Sequence, residues 1–151
     1  MNAVACPYFL PQCELPDGLW VHEPRWPLGK AFSGLCYSRA SEPLEPPGQH
    51  QEELCNYGYA RGRCERFPPG STTDAVRFSI IEKDALRLRI VYVVEKEHVP
   101  ARFGTLDYGI HAGAVSHPGP DAVLTRQAEA FAKSYLARIR TAFAGNSDTV
   151  L

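Results

Sequence analysis

Hydrophobic and polar positions alternate most regularly in the second half of the chain. In "AVRFSIIE" the apolar residues Val76, Phe78 and Ile80 fall at every second position, the period of a half-buried strand. "LRLRIVYVVE" repeats the period with Leu86, Leu88, Ile90, Tyr92 and Val94, while Arg87 and Arg89 point to the opposite face. Lys83-Asp84-Ala85 between the two runs predicts a hairpin loop, although no glycine is present to favour one turn type. After Pro100 interrupts the chain, a third and weaker strand is expected in "FGTLDYG".

The period then changes. In "PGPDAVLTRQAEAFAKSYLARIRTAFAG", Leu124, Ala128, Phe131, Tyr135, Ile139 and Ala142 recur at helical spacing. Asp121 is placed to cap the start of this helix and Gly145-Asn146 to end it. Its apolar face should lie on the apolar side of the sheet. The fold class predicted is α+β: about three antiparallel strands and one long C-terminal helix, residues 71–151, carrying an irregular half, residues 1–70. Together they are expected to form a single domain over 1–151, long enough to bury a core.

The first half has no such period. Ten of the thirteen prolines precede residue 70, and proline removes a backbone donor and fixes φ, which excludes long helices and central strands. Only "QHQEELCNYGY" reads as a short helix, delivering Cys55 at or near its last turn. Ordering such a segment costs roughly 1–2 kcal/mol of backbone entropy per residue. Tyr8, Phe9, Trp20, Trp26, Phe32 and Tyr37 offset part of this. A cross-link would offset more.

Charge and composition narrow the partners. A net charge of -1 gives no whole-chain reason to expect nucleic acid or an acidic membrane. No apolar run approaches the ~20 residues that span a bilayer. The opening "MNAVACPYFLPQC" has neither a basic n-region nor a long apolar stretch. The expected compartment is the reducing cytoplasm, where five cysteines seldom form a disulfide framework. Arg77, Arg87 and Arg89 could face an acidic partner or nucleic acid, but alternating charge on a strand is more often the solvated side of a sheet.

The cysteines are the chemistry left to explain. Cys6, Cys13, Cys36, Cys55 and Cys64 all lie in the first 64 residues. As small core residues they would be ordinary, yet Cys55 and Cys64 bracket a loop containing Gly58, Arg61, Gly62 and Arg63. A structural zinc site usually draws on C-x2–4-C pairs, which are absent, although His22 and His50 could complete one. The more economical view makes the five histidines ordinary surface or loop residues. An iron–sulfur cluster takes four thiolates and accepts ligands from separate loops. Gly58 and Gly62 would let backbone N–H groups approach such a cluster. Arg61 and Arg63 would offset its negative charge, and Cys36, after Gly34, would sit in a turn.

Catalytic alternatives are thin. There is no C-x-x-C, H-E-x-x-H, G-x-S-x-G or glycine-rich phosphate loop. Asp107 beside Tyr108 makes no acid–base pair.

The series "ACPYF", "PLGKAFSGLCYS", "LCNYGYARGRCERFP", "DAVRFSI", "YVVEKEHVPARFGTLDY" and "RQAEAFAKSYL" resembles a family of small, poorly characterised bacterial cysteine-containing proteins. The resemblance carries the order Cys-Pro-Tyr-Phe, Gly-x-Cys and Cys-x8-Cys-x2-Phe-Pro over nearly the whole chain. It implies that Cys6, Cys36, Cys55 and Cys64 form the recurring ligand set, with Cys13 outside it. Four thiolates suit a [4Fe–4S] cluster, favoured here over [2Fe–2S]. The expected roles are electron transfer, redox or iron sensing, or structural stapling, with a redox or protein partner of unknown identity. The rival is a non-catalytic interaction module stabilised by zinc.

Overall fold

The computed structural model describes residues 5–16, 26–39 and 41–150, the last ten of these by backbone alone. Trp20 and His22 lie outside the described residues, as does the side chain of Ala142. The fold is α+β, with two antiparallel sheets and a long C-terminal helix.

The larger sheet has four strands in sequence order: β3 (Ala75–Lys83), β4 (Arg87–Lys96), β5 (Val99–Gly109) and β6 (Ala114–Ser116). Three strands were expected. The additional β6 is only three residues long and pairs with the end of β5, Val115 opposite Tyr108, too short to leave a periodic trace in the sequence. The alternation in β3 and β4 is realised: Val76, Phe78, Leu88, Ile90 and Val94 are buried. Leu86 is not part of that face. It precedes β4 in the loop and is 67% exposed.

The β3–β4 loop turns without glycine because the Asp84 carboxylate accepts the backbone N–H groups of Leu86 (2.8 Å) and Arg87 (2.9 Å). Pro100 does not interrupt the sheet. It lies within β5 opposite Glu95, where the ladder shifts register. On the other face Arg77 pairs with Glu95 (3.1 Å), which is itself buried. Arg89 pairs with Asp107 (3.0 Å) and Glu82 (3.3 Å), and Arg87 with Asp107 (3.2 Å).

Helix α2 runs from Ala122 to Val150. Asp121 caps it as expected, accepting the Leu124 N–H at 3.0 Å. Gly145-Asn146 does not end it, since the backbone continues helical to Val150. Leu124, Ala128 and Ala132 are buried, and the Phe131 ring sits 5.7 Å from that of Phe78. Each fully buried aliphatic or aromatic side chain contributes about 1.5–3 kcal/mol. Among the described residues no helix is long and apolar enough to cross a membrane.

The proline-rich half is more regular than its composition suggests. β1 (Phe9–Glu14) and β2 (Phe32–Cys36) form a separate two-stranded sheet. Pro11 sits beside a bulge and opposite Gly34, whose own N–H turns away from β1, so the missing N–H breaks no ladder bond there. Gly34 has a different purpose from the turn expected of it. A Cβ there would lie 2.0 Å from the Leu10 carbonyl oxygen, so only glycine lets the strands approach. The short helix is present: α1 (Gly48–His50) passes directly into a π-helical turn, Gln51–Cys55. α2 packs against β1 as well as β4, β5 and β6. One cluster of buried residues therefore runs from Cys6, Phe9 and Leu54 through the large sheet to α2.

Candidate metal centre

Cys6 is placed by the large sheet. Its neighbour Ala5 exchanges two backbone hydrogen bonds with Val76, at 2.7 and 2.8 Å, extending the sheet by one bridge. The Cys6 N–H then donates to the Cys55 carbonyl (3.2 Å). The Cys6 carbonyl accepts from Gln127 Nε2 of α2 at 2.8 Å, and the same nitrogen donates to Phe9 O at 2.7 Å. Gln127 is fully buried, so a single side chain of α2 fixes the turn that carries Cys6.

Cys36 ends β2, in extended backbone. Along that edge of β2 every N–H turned away from β1 finds a partner. Phe32 donates to Asn56 Oδ1 (3.1 Å), Gly34 to Gln51 Oε1 (3.0 Å) and Cys36 to Leu44 O (2.7 Å). Gln51 and Asn56 bracket the π-turn whose last residue is Cys55, and both are buried. Two carboxamides thus lock Cys55 to the strand that bears Cys36. Burying them is tolerable because both amide groups are hydrogen-bonded: Gln51 Nε2 donates to Pro46 O (2.6 Å), Asn56 Nδ2 to Phe32 O (3.0 Å) and Gln51 O (2.9 Å).

Cys64 follows a further turn, its N–H donating to Ala60 O (2.8 Å) and its carbonyl accepting from Phe67 N–H (3.1 Å). The loop between Cys55 and Cys64 needs positive φ at Gly58 (73°) and Gly62 (80°). The positive φ at both positions is what the chain path requires of them. A Cβ on Gly58 would meet Ala5 O at 3.0 Å, and Gly62 faces open space.

Cys6, Cys36, Cys55 and Cys64 all line one cavity of about 430 Å³, with Tyr8, Leu54 and Phe67 among its apolar walls. Cys13 does not. It lies exposed on β1, opposite Ser33. The four are close enough to perturb one another electrostatically. Burial pushes the Cys6 thiol up to about 12, and charge on Cys36 or Cys64 adds to this, while the N–H groups of Tyr8 and Phe9 favour its thiolate. Cys55 is driven up further by burial, then by charge on Cys6, Cys36 and Cys64. A cation among them would reverse that penalty. As placed, no group of three His, Cys, Asp or Glu among the described residues converges as a single ion requires.

The arginines separate. Arg63 lines the cavity, as does Arg66. Arg61, expected beside Arg63, instead turns to the large sheet: it contacts Asp74 (2.7 Å), Ser71 O (2.7 Å) and Pro69 O (3.2 Å), with its guanidinium 4.9 Å from the Phe67 ring centre. Asp74 is almost fully buried. Burial opposes its ionisation, but the Glu97 N–H and Arg61 bring its carboxyl below the usual range.

His50 is not an ordinary loop histidine. Its Nε2 lies 3.1 Å from Cys64 Sγ, and it lines the same cavity. Sequence reasoning offered His50 only as a residue that could complete a zinc site with His22, otherwise as an ordinary surface or loop histidine, and it gave no sign of Gln51, Asn56 or Gln127.

No family model, curated protein or solved structure matches the chain.

Proposed function

We propose that this chain binds an iron–sulfur cluster through Cys6, Cys36, Cys55 and Cys64, a [4Fe–4S] cluster ahead of a [2Fe–2S] one. The observation that carries the reading is the meeting of these four thiols, from four separate pieces of chain, around one cavity that leaves Cys13 outside. The cysteine order that resembles the bacterial family is the order that meets there.

The surroundings fit an anionic cluster. The walls are largely apolar, the Tyr8 and Phe9 N–H groups favour a thiolate at Cys6, and Arg63 and Arg66 supply positive charge beside it. A single zinc ion would need its donors drawn to within about 2.3 Å of one point. Four cysteines lining one cavity match the four thiolates that a cluster takes, which is why the cluster reading stands ahead of the zinc-stabilised module. Such a cluster would serve electron transfer or sensing in a reducing cytoplasm, or staple the first half to the sheet.

Anaerobic purification tests the reading. The protein should be brown and carry about four irons and four acid-labile sulfides per chain. Colourless protein with stoichiometric zinc would establish the rival.

A further inference from the structure

Cys64 differs from its companions. Cys6, Cys36 and Cys55 are 7%, 9% and 7% exposed, whereas Cys64 is half-buried. Its sulfur also has an imidazole against it, His50 Nε2 at 3.1 Å.

The local helix explains how His50 arrives there. Five residues apart on an α-helix, at 3.6 per turn, two side chains point about 140° away from each other. In an i→i+5 ladder they fall on the same side of the turn. The turn Gln51–Cys55 is of that second kind, with the Asn56 N–H donating to Gln51 O at 3.0 Å. The widened turn therefore brings both His50 and Cys55 to the cavity. It is held open by Gln51 and Asn56 through their bonds to β2. Its geometry is built in by buried groups.

We propose that His50 is a reserve ligand for the Cys64 corner of the cluster, so that the site can exist with four thiolate ligands or with three thiolates and one imidazole. This rests on the cluster reading above. In the exchange the Fe–Sγ bond to Cys64 breaks and an Fe–Nε2 bond to His50 forms. The sulfur leaves with its electron pair and takes a proton from solvent; no electron is transferred. Neutral imidazole in place of a thiolate leaves the cluster one unit less negative, which raises its reduction potential. The half-exposed corner is the one where a leaving thiol can reach water.

The test uses the full chain, anaerobically reconstituted, as wild type, Cys64→Ala, His50→Ala, the double variant and Cys55→Ala. Iron and sulfide content, the midpoint potential and pulsed EPR of reduced protein labelled with ¹⁵N-histidine are the readouts. Cys64→Ala should keep close to wild-type iron, gain hyperfine coupling to a histidine nitrogen and shift to a more positive potential. His50→Ala should keep full iron, and the double variant should lose most of it. Should Cys64→Ala fail to fold, Cys64→Ser carries the same readouts. Iron loss in Cys64→Ala as complete as in Cys55→Ala, or retention without nitrogen coupling, overturns the assignment of His50. A wild type without iron and sulfide overturns the cluster reading itself.

Discussion

Asn56 pairs with Phe32 as a neighbouring strand residue would. Its side-chain oxygen accepts the Phe32 N–H at 3.1 Å and its nitrogen donates to the Phe32 carbonyl at 3.0 Å. The edge of β2 is closed by a side chain, and the helical turn ending in Cys55 is fastened to the strand ending in Cys36. Asn56→Ala leaves two buried backbone groups unpaired, each costing about 1–3 kcal/mol. Chemical denaturation should show a loss within that range or above it, with faster amide exchange at Phe32. Unchanged exchange there would mean that the amide does not hold the edge.

Gly34→Ala should damage the small sheet more than any polar change on it. The added Cβ would overlap the Leu10 carbonyl, which belongs to backbone and cannot rotate away. A loss of about 3 kcal/mol is expected, the upper end for overpacking. Loss of amide protection should concentrate in β1 and β2 and spare the β4–β5 ladder.

Among the cysteines, Cys13→Ser should leave metal content at the wild-type level, because Cys13 is exposed and off the cavity. Serine at Cys6, Cys36 or Cys55 should abolish or severely reduce it, serine being a far poorer ligand for iron at neutral pH. Iron and sulfide analysis decides. Full iron in all three of these variants would end the cluster model.

Arg61 and Arg63 should part company. Arg61→Gln strips the nearly buried Asp74 of its main cation. It should destabilise the fold by about 2 kcal/mol, less than the roughly 3–5 of a wholly buried pair because Arg61 is partly solvated. The midpoint potential should not move. Arg63→Gln, on the cavity wall, should leave stability nearly unchanged and make the potential more negative. Potentiometry and denaturation on both variants separate the roles.

The metal-free protein should weaken in alkali. Cys6 ionises near 9.0 when unfolded and at about 12 when folded, so above pH 9 the folded state binds more protons than the unfolded one. Stability is therefore complete below about pH 9 and falls as pH rises towards 12. Cys55 acts in the same direction. Loading with metal should in turn release protons, since the ligands must be thiolates. Unfolding midpoints across this range, and pH-stat titration during loading, provide the measurements. Flat stability between about pH 8 and about 11 would mean that these thiols are not buried as described.

Alternation alone placed Val76, Phe78, Leu88 and Ile90 on one face, and a 3.6-residue recurrence placed Leu124 and Ala128 on the helix that covers part of it. These patterns are local, because burial of one face imposes its period on the residues themselves. The bias of cysteine toward the first 64 residues likewise marked the part of the chain that lines the cavity. Tertiary structure decided the rest. The turn Glu97-His98 adopts positive φ at both residues, 51° and 66°, without a glycine. It is held because Asp74 accepts the Glu97 N–H at 2.7 Å and Tyr59 that of His98 at 3.0 Å, from residues more than twenty positions away. Gln51, Asn56 and Gln127 are polar residues in the interior for the same reason, each paired with backbone distant in sequence. Arg61 and Arg63, two residues apart, face different surroundings because the turn at Gly62 redirects the chain between them. His50 and Cys55 line the same cavity across a helical turn widened by one residue, and there His50 meets Cys64, fourteen positions on. Periodicity records which face of an element is buried. It does not record which distant donor will meet which acceptor, and in this protein those meetings bring four thiols and one imidazole to a single cavity.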